Sequence, residues 1–250
     1  MESSKRNIYS FKFKDLDLRS LRNLVSQMHP VYKINFGKNY GNLLSILNQQ
    51  VDHTALVTLA QFYDLPLRCF TFQDFQLASA LEEFERLFRI PMKNKPLFEG
   101  IEESLPLEII ASTLHMDEGE VEANLETKGN TKGFSLSFLL ERAHTLLKAE
   151  SWDACYSAIT LAIYGITLFP NMDVFIDMAA ICVLLTGNPV PTLLEYFYYY
   201  TSHRYTKKKG MIACCAPLLY QWFLEHLPKT GVWVEQTDVS WSQRLGSLQF

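Results

Sequence analysis

The sequence predicts a mainly α fold, an irregular multi-helix globular domain with at most a few short strands. Apolar residues recur at three- and four-residue spacing along most of the 250-residue chain, the mark of helices with one buried face. Hydrophobic residues make up 48% and aromatic residues 13%, enough for a substantial core and too apolar for a disordered chain. Alternation with a period of two is confined to brief stretches, which argues against a parallel α/β sheet.

Each element follows from its own pattern. Leu18, Leu21, Leu24, Val25 and Met28 line a first helix that His29-Pro30 stops. Tyr40, Leu43, Leu44 and Leu47 give a second short apolar face. Leu56, Leu59, Ala60 and Tyr63 give a third, ended by Asp64-Leu65-Pro66. Residues 67–72 alternate briefly and suit a short strand. Asp74 is placed to cap the next helix by accepting free backbone N–H groups, with Leu77, Leu81, Phe84 and Phe88 as its core face. Residues 91–105 read as a loop, and 106–126 as two short helices. Helices resume at 136–149, 153–168, 174–185, 191–203 and 210–227, with Phe169 and Trp222 as further core residues.

This organisation divides into a basic tail (1–14), an N-terminal helical subdomain (15–126), a polar Gly-containing linker (127–133, TKGNTKG) and a C-terminal helical subdomain (134–250). Net charge is −4, so no global basic field recruits nucleic acid. The charge is nevertheless segregated. Residues 1–40 carry eight Lys/Arg against three Asp/Glu, and residues 82–126 carry twelve Asp/Glu against four Lys/Arg.

The five cysteines, Cys69, Cys155, Cys182, Cys214 and Cys215, are odd in number and sit among apolar neighbours, as expected of reduced, buried thiols. The N-terminus has no apolar run, so a secretory signal is not expected. Residues 154–172 and 178–194 lack charge, but Pro170, Pro189 and Pro191 interrupt them and Asp173 and Asp177 lie between. They read as buried core helices rather than membrane spans.

Chemistry is sparse. Residues 107–125 have the spacing of a helix-turn-helix, but Asp117, Glu118, Glu120, Glu122 and Glu126 would be repelled by phosphates, so a packed helical corner is expected. Residues 195–209, EYFYYYTSHRYTKKK, mix aromatics with Arg204 and Lys207–Lys209 in the manner of single-strand binders, although consecutive helical residues cannot share one stacking face. Lys5, Arg6, Lys12, Lys14, Arg204, Lys207, Lys208 and Lys209 are therefore the candidate nucleic-acid contacts. His203, Cys214, Cys215 and His226 have the wrong spacing for zinc. Cys155 with His144 is a conceivable but generic nucleophile pair. No catalytic, metal or cofactor residue is assigned, and no small-molecule substrate or cofactor is expected.

Three segments together resemble the plant mobile domain family, also called aminotransferase-like plant mobile domain, and more narrowly an uncharacterised legume branch associated with transposable elements. Residues 71–92 carry the family's Thr71, acidic Asp74 and closing Ile90-Pro91. Residues 161–185, with Leu168-Phe169-Pro170, are similar to its central helices. Residues 210–228, GMIACCAPLLYQWFLEHLP, are similar to its later Leu/Trp-rich helix. The resemblance covers most of residues 15–245. It implies a largely helical domain of transposable elements and host genes derived from them, with nuclear roles in genome maintenance and silencing for some members. Aminotransferase activity is not carried over, because no phosphate cup or pyridinium partner for a Schiff-base lysine is recognisable. Family members usually continue beyond the segment matching WSQRLGSL at 241–248, so a truncated part of one larger domain is expected.

The reading is thus a non-enzymatic, transposon-derived module acting through protein partners, with a nuclear location favoured over a cytoplasmic one. The alternatives are nucleic-acid binding and an enzyme of unrecognised chemistry. Packing of residues 71–92 gives a first test. Urea unfolding is expected to show Leu81→Asp unfolding the domain and Glu83→Gln leaving its stability almost unchanged.

Overall fold

A computed structural model describes residues 8–90, 105–229 and 239–246. It is mainly α. The described residues form thirteen α-helices, one π-helical segment and eight short strands. Lys5, Arg6 and the loop expected at 91–104 lie outside the described residues.

The N-terminal part begins with strand β1 (Ser10–Phe13), then α1 (Arg19–Ser26) and α2 (Pro30–Tyr40). His29-Pro30 ends one helix and starts the next, because proline has a φ suited to the first turn and the His29 side chain accepts from Val31 N–H. The sequence pattern missed α2, whose only fully buried residue is Phe36. Helices α3 (Leu43–Asn48) and α4 (His53–Ala60) follow. Asp52 caps α4 by accepting from Thr54 and Ala55 N–H, and it also accepts from Trp241 Nε1 at 2.7 Å.

A small antiparallel sheet follows, β2 (Tyr63–Asp64), β3 (Cys69–Thr71) and β4 (Gln76–Leu77). It corrects two expectations. Leu77 pairs with Phe70 in β4 rather than lying on a helix, and it is only half-buried. Asp74 sits in the connection between β3 and β4, and α5 (Leu81–Phe88) starts later, with Ala80 at its N-cap. Phe84, Leu87 and Phe88 are its buried face, with Leu81 half-buried at its rim.

Beyond these come the short corner helices α6 (Leu107–Leu114) and α7 (Glu118–Asn124), where the sequence pattern has two helices. Residues 127–133, expected as a linker, form most of a hairpin between β5 (Glu126–Lys128) and β6 (Thr131–Ser135). Its two-residue turn is Gly129-Asn130, and Gly129 supplies the positive φ that such a turn requires. β6 also pairs with β7 (Phe175–Asp177), so the hairpin is built into a three-stranded sheet. Buried residues from 15–126 and from 134–246 belong to one hydrophobic cluster.

Helices α8 (Leu136–Lys148) and α9 (Trp152–Ile163) pack together, and α9 continues as a π-helical turn at Tyr164–Leu168. Every residue of α9 from Ala154 to Ile163 and every residue of the π turn is buried. α10 (Met178–Thr186), α11 (Val190–Lys207), β8 (Lys209–Ile212), α12 (Ala216–Glu225) and α13 (Trp241–Gly246) complete the order. Phe169 and Trp222 are in the core as expected. No described helix is long and apolar enough to cross a membrane.

Ile176 on β7 is fully buried between two glycines. A Cβ on Gly165 would meet the Ile176 side chain at 2.4 Å, and one on Gly133 would meet the Ile176 carbonyl at 2.0 Å. Gly165→Ala is therefore expected to lower unfolding free energy by about 1–3 kcal/mol, and Gly133→Ala by at least as much, because backbone cannot swing aside as a side chain can. Gly37, in mid-helix with nothing within 4 Å of a built Cβ, is the control. Gly37→Ala should stabilise by about 0.5–1 kcal/mol in the same urea titration.

Candidate functional site

The parallel pairing of β1 with β8 is the feature that gathers the scattered basic residues. Ser10 pairs with Lys209, Phe11 with Gly210, Lys12 with Met211 and Phe13 with Ile212. Alternation along β1 turns Phe11 and Phe13 inward and Lys12 outward. Lys209 and Met211 on β8 are likewise exposed. Two stretches far apart in sequence thus present Lys12 and Lys209 on one solvent face, with Lys207 and Lys208 at the exposed C-terminal end of α11 beside it.

An aromatic layer underlies this face. The Tyr205 ring lies 4.9 Å from Phe11, 5.0 Å from Tyr63 and 5.5 Å from Tyr9, centroid to centroid. Its hydroxyl donates to the Ala60 carbonyl. Gln61 clips the start of β1, accepting from Tyr9 N–H and donating to Tyr9 O. Burial of these rings fixes the strand pair and so fixes where the lysines point.

The eight candidate nucleic-acid contacts separate by role. Lys12, Lys207, Lys208 and Lys209 are exposed. Lys14 is not free, which corrects the sequence reading. It ion-pairs with Asp173 at 2.8 Å, donates to the Pro170 carbonyl at 2.9 Å, and its side chain is only 14% exposed. Arg204 is also diverted. Its guanidinium lies against Gly210, where a built Cβ would stand 3.3 Å from one terminal nitrogen, and the residue is half-buried. It braces β8 instead of facing solvent.

A second cluster went unseen in the sequence. Glu83 at the first turn of α5 accepts from Ala80 N–H and Trp222 Nε1 through one oxygen, both at 2.9 Å. Its other oxygen lies 2.7 Å from His226 Nε2, and His226 Nδ1 lies 2.8 Å from the Trp222 carbonyl oxygen. Partial burial raises the Glu83 pKa, but the bonds from Ala80 N–H, Trp222 and His226 outweigh it and hold the carboxyl below its usual range. This node joins α5 to α12, alongside the Arg86–Glu225 pair at 2.6 Å. The expectation that Glu83→Gln changes almost nothing is overturned by these contacts. The available signal was Glu three residues after a helix start, where it can reach back to a free N–H.

The remaining candidates find no partner chemistry. All five cysteines are free and buried. Burial pushes the Cys155 thiol up to about 11 and Cys215 to about 12, and raises Cys214 well above the ordinary value. Such thiols are poor nucleophiles at neutral pH. Cys155 donates to the Ala143 carbonyl, not to His144. Among the described residues no group of three or more His, Cys, Asp or Glu side chains is arranged to hold a metal ion, and His203, Cys214, Cys215 and His226 do not form one. A cleft of about 370 Å³ beside β1 includes Lys14, Asp15, Arg22 and His53, charges of both signs in an open, polar setting. Small-molecule sites are more often enclosed and mainly apolar.

A family model described as a domain of unknown function, DUF7745, matches residues 18–250. No curated protein and no solved structure matches the chain.

The Glu83 node makes stability depend on pH in the acid range. Because the folded-state pKa is depressed, the carboxylate contributes fully above the unfolded value of about 4.3 and loses its contribution as pH falls through the folded value. At pH 7, Glu83→Gln is expected to lower unfolding free energy by about 1–3 kcal/mol, the range for bonds to a charged group. Urea titrations at decreasing pH should show the gap between the variant and the unmodified protein closing below about pH 4.3.

Proposed function

The chain belongs to the DUF7745 family, a domain of unknown function, and we propose that it is a non-enzymatic interaction module that works through protein contacts. The observation that carries this reading is α2. The helix fastens one side to the core through buried Phe36 and through Tyr32, whose ring stacks on Trp152 at 3.4 Å. It turns Val31 and Ile34, three residues apart, to solvent at 52% and 63% exposure. Residues at that spacing share one helix face, and a paired apolar surface of this kind suits a protein partner. The resemblance of residues 71–92, 161–185 and 210–228 to the plant mobile domain supports a transposon-derived origin and a nuclear role in genome maintenance or silencing.

A second reading, nucleic-acid binding, is favoured by one specific observation. The β1–β8 pairing sets Lys12 opposite Met211 and Ser10 opposite Lys209, so Lys12 and Lys209 share one exposed strand face, with Lys207 and Lys208 just before Lys209 in the chain. Four clustered cations on an acidic protein form a local field that does not depend on net charge. Binding of this kind weakens steeply with salt, and its absence at low salt removes the reading.

The protein-contact reading is tested by the double variant Val31→Asp, Ile34→Asp. Both side chains are exposed, so stability should change by no more than about 0.5 kcal/mol. Cross-linking and capture from plant nuclear extract should lose specific partners with the variant while its thermal midpoint stays close to the parent. Capture of the same proteins at the same yield by both forms would remove α2 as the contact surface.

A further inference from the structure

Along the aromatic run of α11 the fold commits every tyrosine hydroxyl but one, among the described residues. Phe197 and Tyr205 are buried. Tyr196 and Tyr200 donate their hydroxyls to Asn171 Oδ1, and Tyr198 donates to the Ser79 carbonyl. Tyr199 is 62% exposed, and its hydroxyl has no partner among the described residues. Its ring is nearly parallel to that of His203, at 8° with centroids 6.0 Å apart. Lys207 stands one further turn along. Tyr199, His203 and Lys207 are therefore a single row at four-residue spacing along α11, with Tyr199 and Lys207 exposed and His203 half-buried between them. Glu195, one turn before Tyr199, is the acidic residue at the start of that row. The row ends where Lys208, at φ 56°, turns the chain into β8 and delivers Lys209 to the face it shares with Lys12.

An open aromatic face leading into four cations matches one polymer. We propose that this strip binds single-stranded nucleic acid, an unpaired base lying on Tyr199 and His203 and the following phosphates meeting Lys207, Lys208, Lys209 and Lys12. The inference rests on the nucleic-acid reading given above and narrows it. Charge alone would accept any polyanion. The exposed ring selects a strand whose bases are unstacked, because a duplex keeps its base faces inside the stack whereas each free base offers one. An acidic polypeptide satisfies the lysines and leaves the aromatic row unused.

Fluorescence anisotropy on the full chain decides the matter, with an oligothymidylate of about 12 nucleotides, within the usual site size for single strands. The comparison ligands are a duplex of the same length and a polyglutamate peptide. The single strand should bind most tightly. Four phosphate contacts give a log–log salt slope of about −2.8, so raising salt fourfold should weaken binding roughly 50-fold. Tyr199→Ala, at an exposed position, should lower single-strand affinity roughly 5- to 150-fold and leave duplex binding unchanged, and Tyr199→Phe should restore it. Equal affinity for duplex, or indifference to Tyr199→Ala, overturns the inference and leaves the nucleic-acid reading standing. Polyglutamate binding as tight as the oligonucleotide overturns it in favour of an acidic protein partner. No binding to either nucleic acid at low salt overturns both.

Discussion

The space that Gly133 and Gly165 leave for Ile176 sets the position of β7, and a chain of contacts runs outward from there. β7 crosses the π turn at a distance that only a missing side chain allows. Asp177, at its end, caps α10 by accepting from Ala180 N–H and also accepts from Asn171 Nδ2. Asn171 in turn accepts from Tyr196 and Tyr200. The angle of α11 is thereby tied to β7, and α11 carries the aromatic row and leads into β8. A buried hydrogen-bonded carboxylate transmits position well, because each of its partners would be costly to leave unpaired.

The helices were legible because their signal is local. Three- and four-residue apolar spacing marks α1, α3, α4, α6 and α8 with small boundary shifts, whereas the helices expected at 174–185 and 210–227 start only at Met178 and Ala216, after strands β7 and β8. What the sequence hid depends on residues far apart. α2 escaped notice because it buries Phe36 alone and so has almost no periodic stripe. The hairpin at 126–135 looked like a linker because its composition is polar, yet Gly129-Asn130 between alternating residues is a two-residue turn signal. Leu77 fitted a helical period by coincidence of spacing, and pairing with Phe70 overrode it.

The same distinction governs the candidate sites. Of the basic residues singled out in the sequence, Lys12, Lys207, Lys208 and Lys209 are exposed. Lys14 was misread because its acceptors, Asp173 and the Pro170 carbonyl, lie more than 150 residues away. Glu83 was misread for the same reason, as Trp222 and His226 approach it only in the folded state. Charge in a sequence shows what could titrate or bind. Which charges are already committed is a property of tertiary structure.

The β1–β8 pair also orders events in time. Its strands lie near opposite ends of the described chain and run parallel, so the entropy of closing the intervening loop must be overcome before the pair forms. During synthesis β1 emerges first and remains an unpaired edge, with Phe11 and Phe13 uncovered, until most of the chain has followed. Assembly of the basic face then acts as a checkpoint on completion: a nascent or C-terminally cut chain carries Lys12 but not the surface to which Lys12 belongs.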